Sequence, residues 1–390
     1  MLPPLTEFLN SKPLYYDKID FTFMPQVYQD LQKKISFFPS KVIHIIGTNG
    51  KGSTGRYLAH YLHTQGFGVG HYSSPHIFSF NERIWLNGGN ATDDLLQSTH
   101  YKLLQYLSEE AIKKLTYFEY TTLLCLLVYH EAKCDFIVLE AGLGGEYDAT
   151  NVVNKKLTLV TPIDYDHKEF LGESIEEIAT TKLNAISKKA ILATQYNQEI
   201  YSIAHALAEA KHLSIHKCED LLTQDDYHFS HKMRDNNDLP LFQITNLYLA
   251  ICAIRSLGIN QIDYNVLQDV QMPYRCQQIA PNIYADVGHN ELGAKAILYH
   301  LRAKKVNLIY NSFSNKKYAQ ILTILSPIVD TLLFIDIDDN RMCNLSQIRQ
   351  VCLDLHIKVE HLATLDKNKD YLVFGSFLVV EHFVNRFLNE

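Results

Sequence analysis

The sequence is poor in the features that mark several large classes of protein. Its seven cysteines, Cys125, Cys134, Cys218, Cys252, Cys276, Cys343 and Cys352, form no CxxC pair and no metal-ligand spacing. An odd, scattered set argues against a disulfide framework and for reduced thiols. No apolar run approaches the roughly 20 residues that a membrane-crossing helix needs. The most apolar stretch, Tyr120 to Tyr129, is short and interrupted by threonines. The opening MLPPLTEFLNSKP lacks a basic stretch ahead of an apolar one, so no signal peptide is expected. Positive charge is also scarce: 36 Lys and Arg against 43 Asp and Glu give a net charge of −7. That balance excludes a broad nucleic-acid or anionic-membrane surface and leaves room only for a local basic pocket. Low-complexity segments and solenoid-period repeats are missing too. A soluble, cytoplasmic, globular protein is expected, and 390 residues suffice for two or more domains.

What is present is an alternation of short β-rich apolar runs with longer amphipathic stretches, the pattern of α/β domains with largely parallel sheets. Strands are expected at Val42–Ile46, Phe136–Glu140, Leu157–Thr161 and Ala190–Thr194, with helices over about Ser53–Gln65 and from about Ser174. Beyond Pro273 the alternation is more regular. Strands are expected there at Ile283–Val287, Val306–Tyr310, Leu332–Asp336, Ile357–Glu360 and Tyr371–Phe374, with helices beginning near Leu292, Asn315, Leu345 and Phe377. Pro273 and Pro281 bracket a weakly periodic segment that is read as the boundary. The expected architecture is a P-loop-type ATPase domain over residues 1–278, with a mostly parallel sheet, and a smaller Rossmann-like α/β domain over 279–390.

The strongest chemical signal is Gly47-Thr48-Asn49-Gly50-Lys51-Gly52-Ser53-Thr54, set between a buried strand and a helix. Three glycines let the backbone wrap a phosphate chain, the helix N-terminus offers unpaired N–H groups, and Lys51 adds a point charge. The lysine precedes Gly52, so the spacing is not the standard phosphate-loop one. Phosphoryl transfer from ATP also requires Mg²⁺, whose hard oxygen ligands must come from elsewhere. Glu140, ending a buried strand ahead of Gly142-Leu143-Gly144-Gly145, is placed for this, since ligands of open α/β sheets collect at that edge. His167 follows the Leu157–Thr161 strand toward the same edge, although any one of 18 histidines is more often a surface or core residue. In the C-terminal region Asp286-Val287-Gly288-His289-Asn290 ends a strand and opens a helix, where an acid can reach a ribose and a histidine a phosphate. These residues imply a two-domain ATP-dependent enzyme with its site between the domains.

Taken in order, the pieces resemble the folylpolyglutamate synthase/dihydrofolate synthase family of the Mur ligase superfamily over roughly residues 15 to 385. The resemblance rests on Gly47–Ser53, Tyr72-Ser73-Ser74-Pro75-His76 with Asn81-Glu82-Arg83-Ile84, Thr116-Tyr117-Phe118-Glu119, Glu140–Gly145, Asp148-Ala149-Thr150-Asn151 and Asp166-His167. It implies that Thr48, Asn49, Gly50, Lys51, Gly52 and Ser53 hold ATP phosphates, and that Asn246, Arg275, Asp286 and His289 contact the nucleotide. It further implies that Ser74, Glu140 and His167 ligate two magnesium ions. Lys182 matches a lysine that is carbamylated in the family, which would make it an anionic oxygen ligand. Lys51, Lys182 and His167 would be the catalytic groups. Ile19, Asp20, Phe21, Thr116, Tyr117, Phe118, Glu119, Tyr147, Asp148 and Ala149 correspond to the pteroate site, where Phe118 would stack on a flat ring.

Several positions depart from the family pattern. Glu146 replaces an arginine, Thr181-Lys182-Leu183-Asn184 replaces Glu-Lys-Ala-Gly, Tyr274 replaces a glycine, and Gly288 and Glu291 replace alanine and proline. The segment Thr22-Phe23-Met24-Pro25 also departs. The resemblance implies an ATP-dependent ligase that joins L-glutamate to dihydropteroate, and to reduced folates, through an acyl phosphate, acting as a monomer without nucleic-acid or membrane partners. Two alternatives are a UDP-muramyl amino-acid ligase and a non-catalytic nucleotide-binding module. Gly52-Ser53 after Lys51 and the short stretch ahead of the loop weigh against the first. The shared placement of Glu140, His167 and Lys182 weighs against the second.

Overall fold

The computed structural model describes residues 3–13, 20–237 and 239–388, so Ile19 lies outside the described residues. Two compact units are present: Met1–His231 with Thr245–Val270, and Lys232–Ile244 with Gln271–Glu390.

The first unit is built on an eight-stranded sheet. Its strands are β1 (Lys41–Ile46), β2 (Val69–Tyr72), β3 (Ile84–Leu86), β4 (Gly89–Asn90), β5 (Phe136–Glu140), β6 (Leu157–Val160), β7 (Lys189–Leu192) and β8 (Ser214–Lys217). They lie in the order β4-β3-β2-β5-β1-β6-β7-β8. All pairings from β2 across to β8 are parallel, and β3 and β4 close one edge antiparallel. Helices cover both faces of such a sheet, so its central strands read as unbroken apolar runs. Parallel partners point to the same side. Val42, Ile137 and Leu139 accordingly share one core with the helices Phe23–Lys34, Asp93–Tyr106 and Tyr117–Glu131. On the other half of the sheet Ile46, Val160, Ala190 and Leu192 pack with Ile175–Leu183 and Glu199–Lys211. The opposite face of the sheet meets the helix Lys51–Thr64, where a Cβ on Gly55 would overlap the His71 ring.

The second unit holds a six-stranded sheet. It comprises β9 (Arg275–Ala280), β10 (Ile283–Asp286), β11 (Val306–Tyr310), β12 (Val329–Phe334), β13 (Lys358–His361) and β14 (Tyr371–Phe374), in the order β13-β12-β11-β14-β10-β9. All pairs are parallel except β9 with β10. The weakly periodic segment between Pro273 and Pro281, read above as a boundary, is therefore an edge strand. Two register shifts and positive φ at Tyr274 (56°) and Cys276 (55°) break the alternation that would have announced it. No helix among the described residues is long and apolar enough to cross a membrane.

Candidate active site

The parallel register carries the C-terminal ends of β2, β5, β1 and β6 to one edge of the first sheet, since Ile45 pairs with Glu140, Ile46 with Val160 and Tyr72 with Leu139. The loop after β1 is the glycine-rich one. Gly47 has φ +138° and a Cβ there would overlap Thr161 Oγ1, while Gly50 (φ +90°) would overlap the Asn246 side chain. Glycine is required at both positions by backbone conformation and by space. Thr48 ties this loop to the one after β6: its N–H donates to Pro162 O (2.9 Å), its hydroxyl donates to Asp164 O, and Asp164 N–H donates back to Oγ1, both at 3.0 Å. Gly50 is the N-cap of the helix Lys51–Thr64, and that helix's opening N–H groups face the loop. The structure thus brings Thr48, Gly50, Lys51, Gly52, Ser53 and Asn246 into one neighbourhood, and Asn49 lies within the same turn.

Two lysines converge on that turn. Lys51 Nζ lies 3.9 Å from Glu140 Oε1 and donates to Thr48 O at 3.2 Å. Lys182, buried at 3 % exposure, donates to Gly47 O at 3.1 Å from the helix Ile175–Leu183. Burial, then the charge of Lys51, push its pKa down to about 7 against the pull of Asp166 and Asp148. Burial thus favours the free amine, the form able to take up CO₂. A Cβ on Gly145 would stand 2.5 Å from Lys182 O, so that glycine admits the lysine's helix.

Glu140 is buried (5 % exposed) and accepts the Ser74 N–H at 3.2 Å, beside the cis Ser74–Pro75 bond. His167 has φ +51° and caps the short helix Lys168–Leu171, and its N–H donates to Asp166 Oδ1 at 2.9 Å. Among the described residues no three His, Cys, Asp or Glu side chains converge into a metal cage. The Glu140 carboxylate and the Ser74 hydroxyl are oxygen donors that suit Mg²⁺, which keeps waters and phosphate oxygens as most of its ligands, whereas the His167 imidazole is a nitrogen donor that Mg²⁺ takes less readily.

The expected acceptor residues form two groups. Thr116 and Glu119 cap the helix Tyr117–Glu131 reciprocally, with Thr116 N–H and Oγ1–H donating to Glu119 Oε2 at 2.9 and 2.8 Å. Phe118 lies under Gly142, where a Cβ would stand 2.6 Å from its ring, with its centroid 5.7 Å from that of Tyr72. Tyr117 receives Arg83 over its face. Asp148 is buried and fully engaged, accepting from Leu143 N–H (2.8 Å) and from the N–H and hydroxyl of Thr150. Desolvation raises its pKa. Thr150 Oγ1 lies 2.8 Å from His44 Nε2, so this turn is pinned to β1, and Ala149 is buried within it. Phe21 and Tyr147 are exposed with ring centroids 4.0 Å apart, and Asp20 accepts from Thr22. The divergent Glu146 is held by Asn184 Nδ2 (2.8 Å), so two of the departures from the family pattern are partners.

In the second unit Asp286 pairs with Arg275 in the β10–β9 register and accepts the Gly288 N–H at 2.6 Å. Desolvation raises its pKa to about 6 against the pull of Arg275. His289 Nδ1 faces Val287 O at 3.3 Å, and Arg275 lies over the Phe377 ring.

Sequence reasoning quoted Glu82 and Arg83 only as members of a motif and gave them no role, yet they shape these loops: Glu82 accepts the N–H groups of Ile77, Phe78 and Ser79, and Arg83 donates to His76 Nδ1 at 2.8 Å. Thr161 and Gln195 left no signal, because a lone polar residue after an apolar strand is common.

A glycine-rich loop closing on a helix N-terminus, with a buried carboxylate and two lysines at the carboxyl edge of a parallel sheet, defines a nucleotide-dependent α/β enzyme. No family model matches the chain. The dihydrofolate synthase/folylpolyglutamate synthase of Haemophilus influenzae is 31% identical over 330 residues, 74% of this chain and 72% of its own length. The crystal structure of Helicobacter pylori folylpolyglutamate synthetase is 34% identical with a TM-score of 0.77, covering 99% of this chain and 98% of that one. Escherichia coli FolC in complex with DHPP and ADP is 25% identical with a TM-score of 0.83, covering 98% and 97%. The chain belongs to the dihydrofolate synthase/folylpolyglutamate synthase family, and it is an ATP-dependent ligase.

Proposed function

We propose that the chain adds L-glutamate to dihydropteroate, forming dihydrofolate, and extends folylpolyglutamates at the same site. The observation that carries this reading is the convergence of Lys51, Lys182 and Glu140 on the Gly47–Ser53 turn, in a chain similar to an enzyme solved with DHPP and ADP. The γ-phosphoryl group of ATP passes to the acceptor carboxylate, giving an acyl phosphate and ADP. The α-amine of glutamate then attacks that carbonyl, the amide C–N bond forms, the amine proton is lost and phosphate leaves.

In this reading the N–H groups of the turn and Lys51 bind the phosphates and stabilise charge that builds on them. Ser74 and Glu140 would hold one Mg²⁺, with His167 and a carbamylated Lys182 holding a second. The metal when bound supplies charge neutralisation on the phosphate oxygens. Asn246, Arg275, Asp286 and His289 orient the nucleotide. Phe118, with Tyr117, Thr116 and Glu119 behind it, and Asp20, Phe21, Tyr147, Asp148 and Ala149 hold the acceptor, so that rate comes from positioning and from keeping water off the acyl phosphate. The protein works as a cytoplasmic monomer without nucleic acid. The test is ADP release by the purified protein, expected only when acceptor and L-glutamate are both present. No release with dihydropteroate or with a reduced folate overturns the reading, and comparing the two acceptors separates the two activities.

A further inference from the structure

Gln195 follows β7, is buried at 2 % exposure and has no role assigned above. Its side-chain amide bonds three neighbouring backbone groups. Oε1 accepts the Ile163 N–H at 2.9 Å, and Nε2 donates to Ala193 O at 2.8 Å and more weakly to Thr161 O at 3.4 Å. Its own N–H donates to Tyr201 Oη at 2.9 Å, which fixes where the amide stands. Thr161 and Ile163 belong to the segment that leaves β6 and runs through Asp164 to His167. The same segment is bound on its other side by the phosphate turn, through Thr48 to Pro162 and Asp164, and Thr161 Oγ1–H donates to Ile46 O at 3.2 Å.

Residues 161–164 are therefore clamped between the Thr48 turn on one side and a single amide on the other. The strands are short, β6 ending at Val160 and β7 at Leu192, and beyond them the ladder continues with Thr161 N–H to Ile46 O (2.9 Å) and Ala193 N–H to Val160 O (2.8 Å). A buried glutamine can carry that ladder on to Ile163 because it offers an acceptor and a donor together, and leaving the Ile163 N–H unpaired in the interior would be costly.

We infer that Gln195 is a positioning residue: it sets the height of the 161–167 segment against the phosphate turn, and through it the site of metal-nucleotide binding. The inference rests on the proposed roles of His167 and the Gly47–Ser53 turn. Groups hydrogen-bonded directly to a ligand typically change metal affinity or activity by about 10- to 100-fold when removed, and Gln195, bonded to Ile163 and not to His167 itself, is expected to act at the lower end of that range.

The experiment is a Mn²⁺ binding isotherm in the presence of ADP, read by electron paramagnetic resonance on the full chain, for wild type, Gln195→Met and Gln195→Glu. The methionine keeps the volume and removes all three side-chain bonds, and the glutamate keeps the Oε1 acceptor and, when protonated, one donor toward Ala193 O. Mn²⁺ affinity should weaken by roughly 10-fold in Gln195→Met and by less in Gln195→Glu. In turnover, the metal concentration for half activation should rise with it while the KM for the acceptor stays within about twofold. Leu192→Ala, a buried change in β7 that removes core packing and none of the amide's hydrogen bonds, serves as the comparison for general destabilisation and should leave the isotherm in place. Unchanged Mn²⁺ binding in Gln195→Met, or an equal shift in Leu192→Ala, overturns the inference. Should the methionine variant not fold, hydrogen exchange on the wild type decides: the Ile163 amide must be strongly protected, and rapid exchange there is equally fatal. The isotherm needs neither acceptor nor glutamate, so failed ligase turnover would count against the proposed function and not against Gln195.

Discussion

At the scale of single residues, the phosphate turn depends on atoms that are missing. Gly47 combines φ +138° with no room for a Cβ against Thr161. Gly47→Ala is expected to cost about 1–3 kcal/mol in stability from backbone conformation alone, to displace Thr161, and to weaken ATP binding. A thermal melt with and without Mg·ATP checks this, and an unshifted melt with intact nucleotide stabilisation would contradict it. Lys182 shows what sequence leaves out: the motif is visible, but the depressed pKa of its amine comes from burial and from the charge of Lys51.

At the scale of elements, the helix Tyr117–Glu131 is apolar on every side and sits inside the first unit. Its start is specified by the Thr116/Glu119 capping box, the same residues that the family resemblance assigns to the acceptor. Thr116→Ala is expected to lower stability by about 1 kcal/mol and to raise the acceptor KM, because the cap also orients Phe118. Urea denaturation and acceptor titration test the two effects separately. A loss of stability with an unchanged KM would restrict the pair to capping. Strands buried on both faces, such as β1, β5, β11 and β14, could be read from sequence because a continuous apolar run bounded by turn residues has few other solutions. β2, which carries Gly70 and His71 in place of an apolar run, the largely exposed β8 and the bulged β9 could not, since none presents a continuous apolar run or an unbroken alternation.

At the scale of the whole molecule, pH acts through buried neutral histidines. His44 and His71 are completely buried in the first unit, and burial drives the pKa of His44 down to about 3 and that of His71 well below its ordinary value. The unfolded chain protonates both near pH 6.5 and the folded state does not. Below about pH 6.5 the unfolded state therefore binds more protons, and stability falls by up to about 1.4 kcal/mol per pH unit for each histidine. Asp148, whose pKa is raised, offsets part of this in the same unit once the pH approaches its folded value. In the second unit Asp286, raised to about 6, stabilises the fold as pH drops from there toward 3.8. Urea titrations between pH 7 and 5 should show the first unit losing stability, and a pH-independent midpoint for that unit would contradict the assignment. His44→Asn should flatten the slope.

The sequence by itself determined the α/β class, the strands of both sheet centres and the identity of the phosphate turn, because hydrophobic period and glycine placement are local properties. The ligand-type residues Ser74, Glu140, His167 and Lys182 were visible in the same way, as members of motifs. Only the tertiary structure decided that Lys51 meets Glu140, that Lys182 reaches Gly47, that Glu146 and Asn184 are partners, and that Gln195 holds the segment leading to His167. These contacts join residues 32 to 135 positions apart, and parallel strands bring them together only after long crossovers have closed, a consequence of packing that no local window contains.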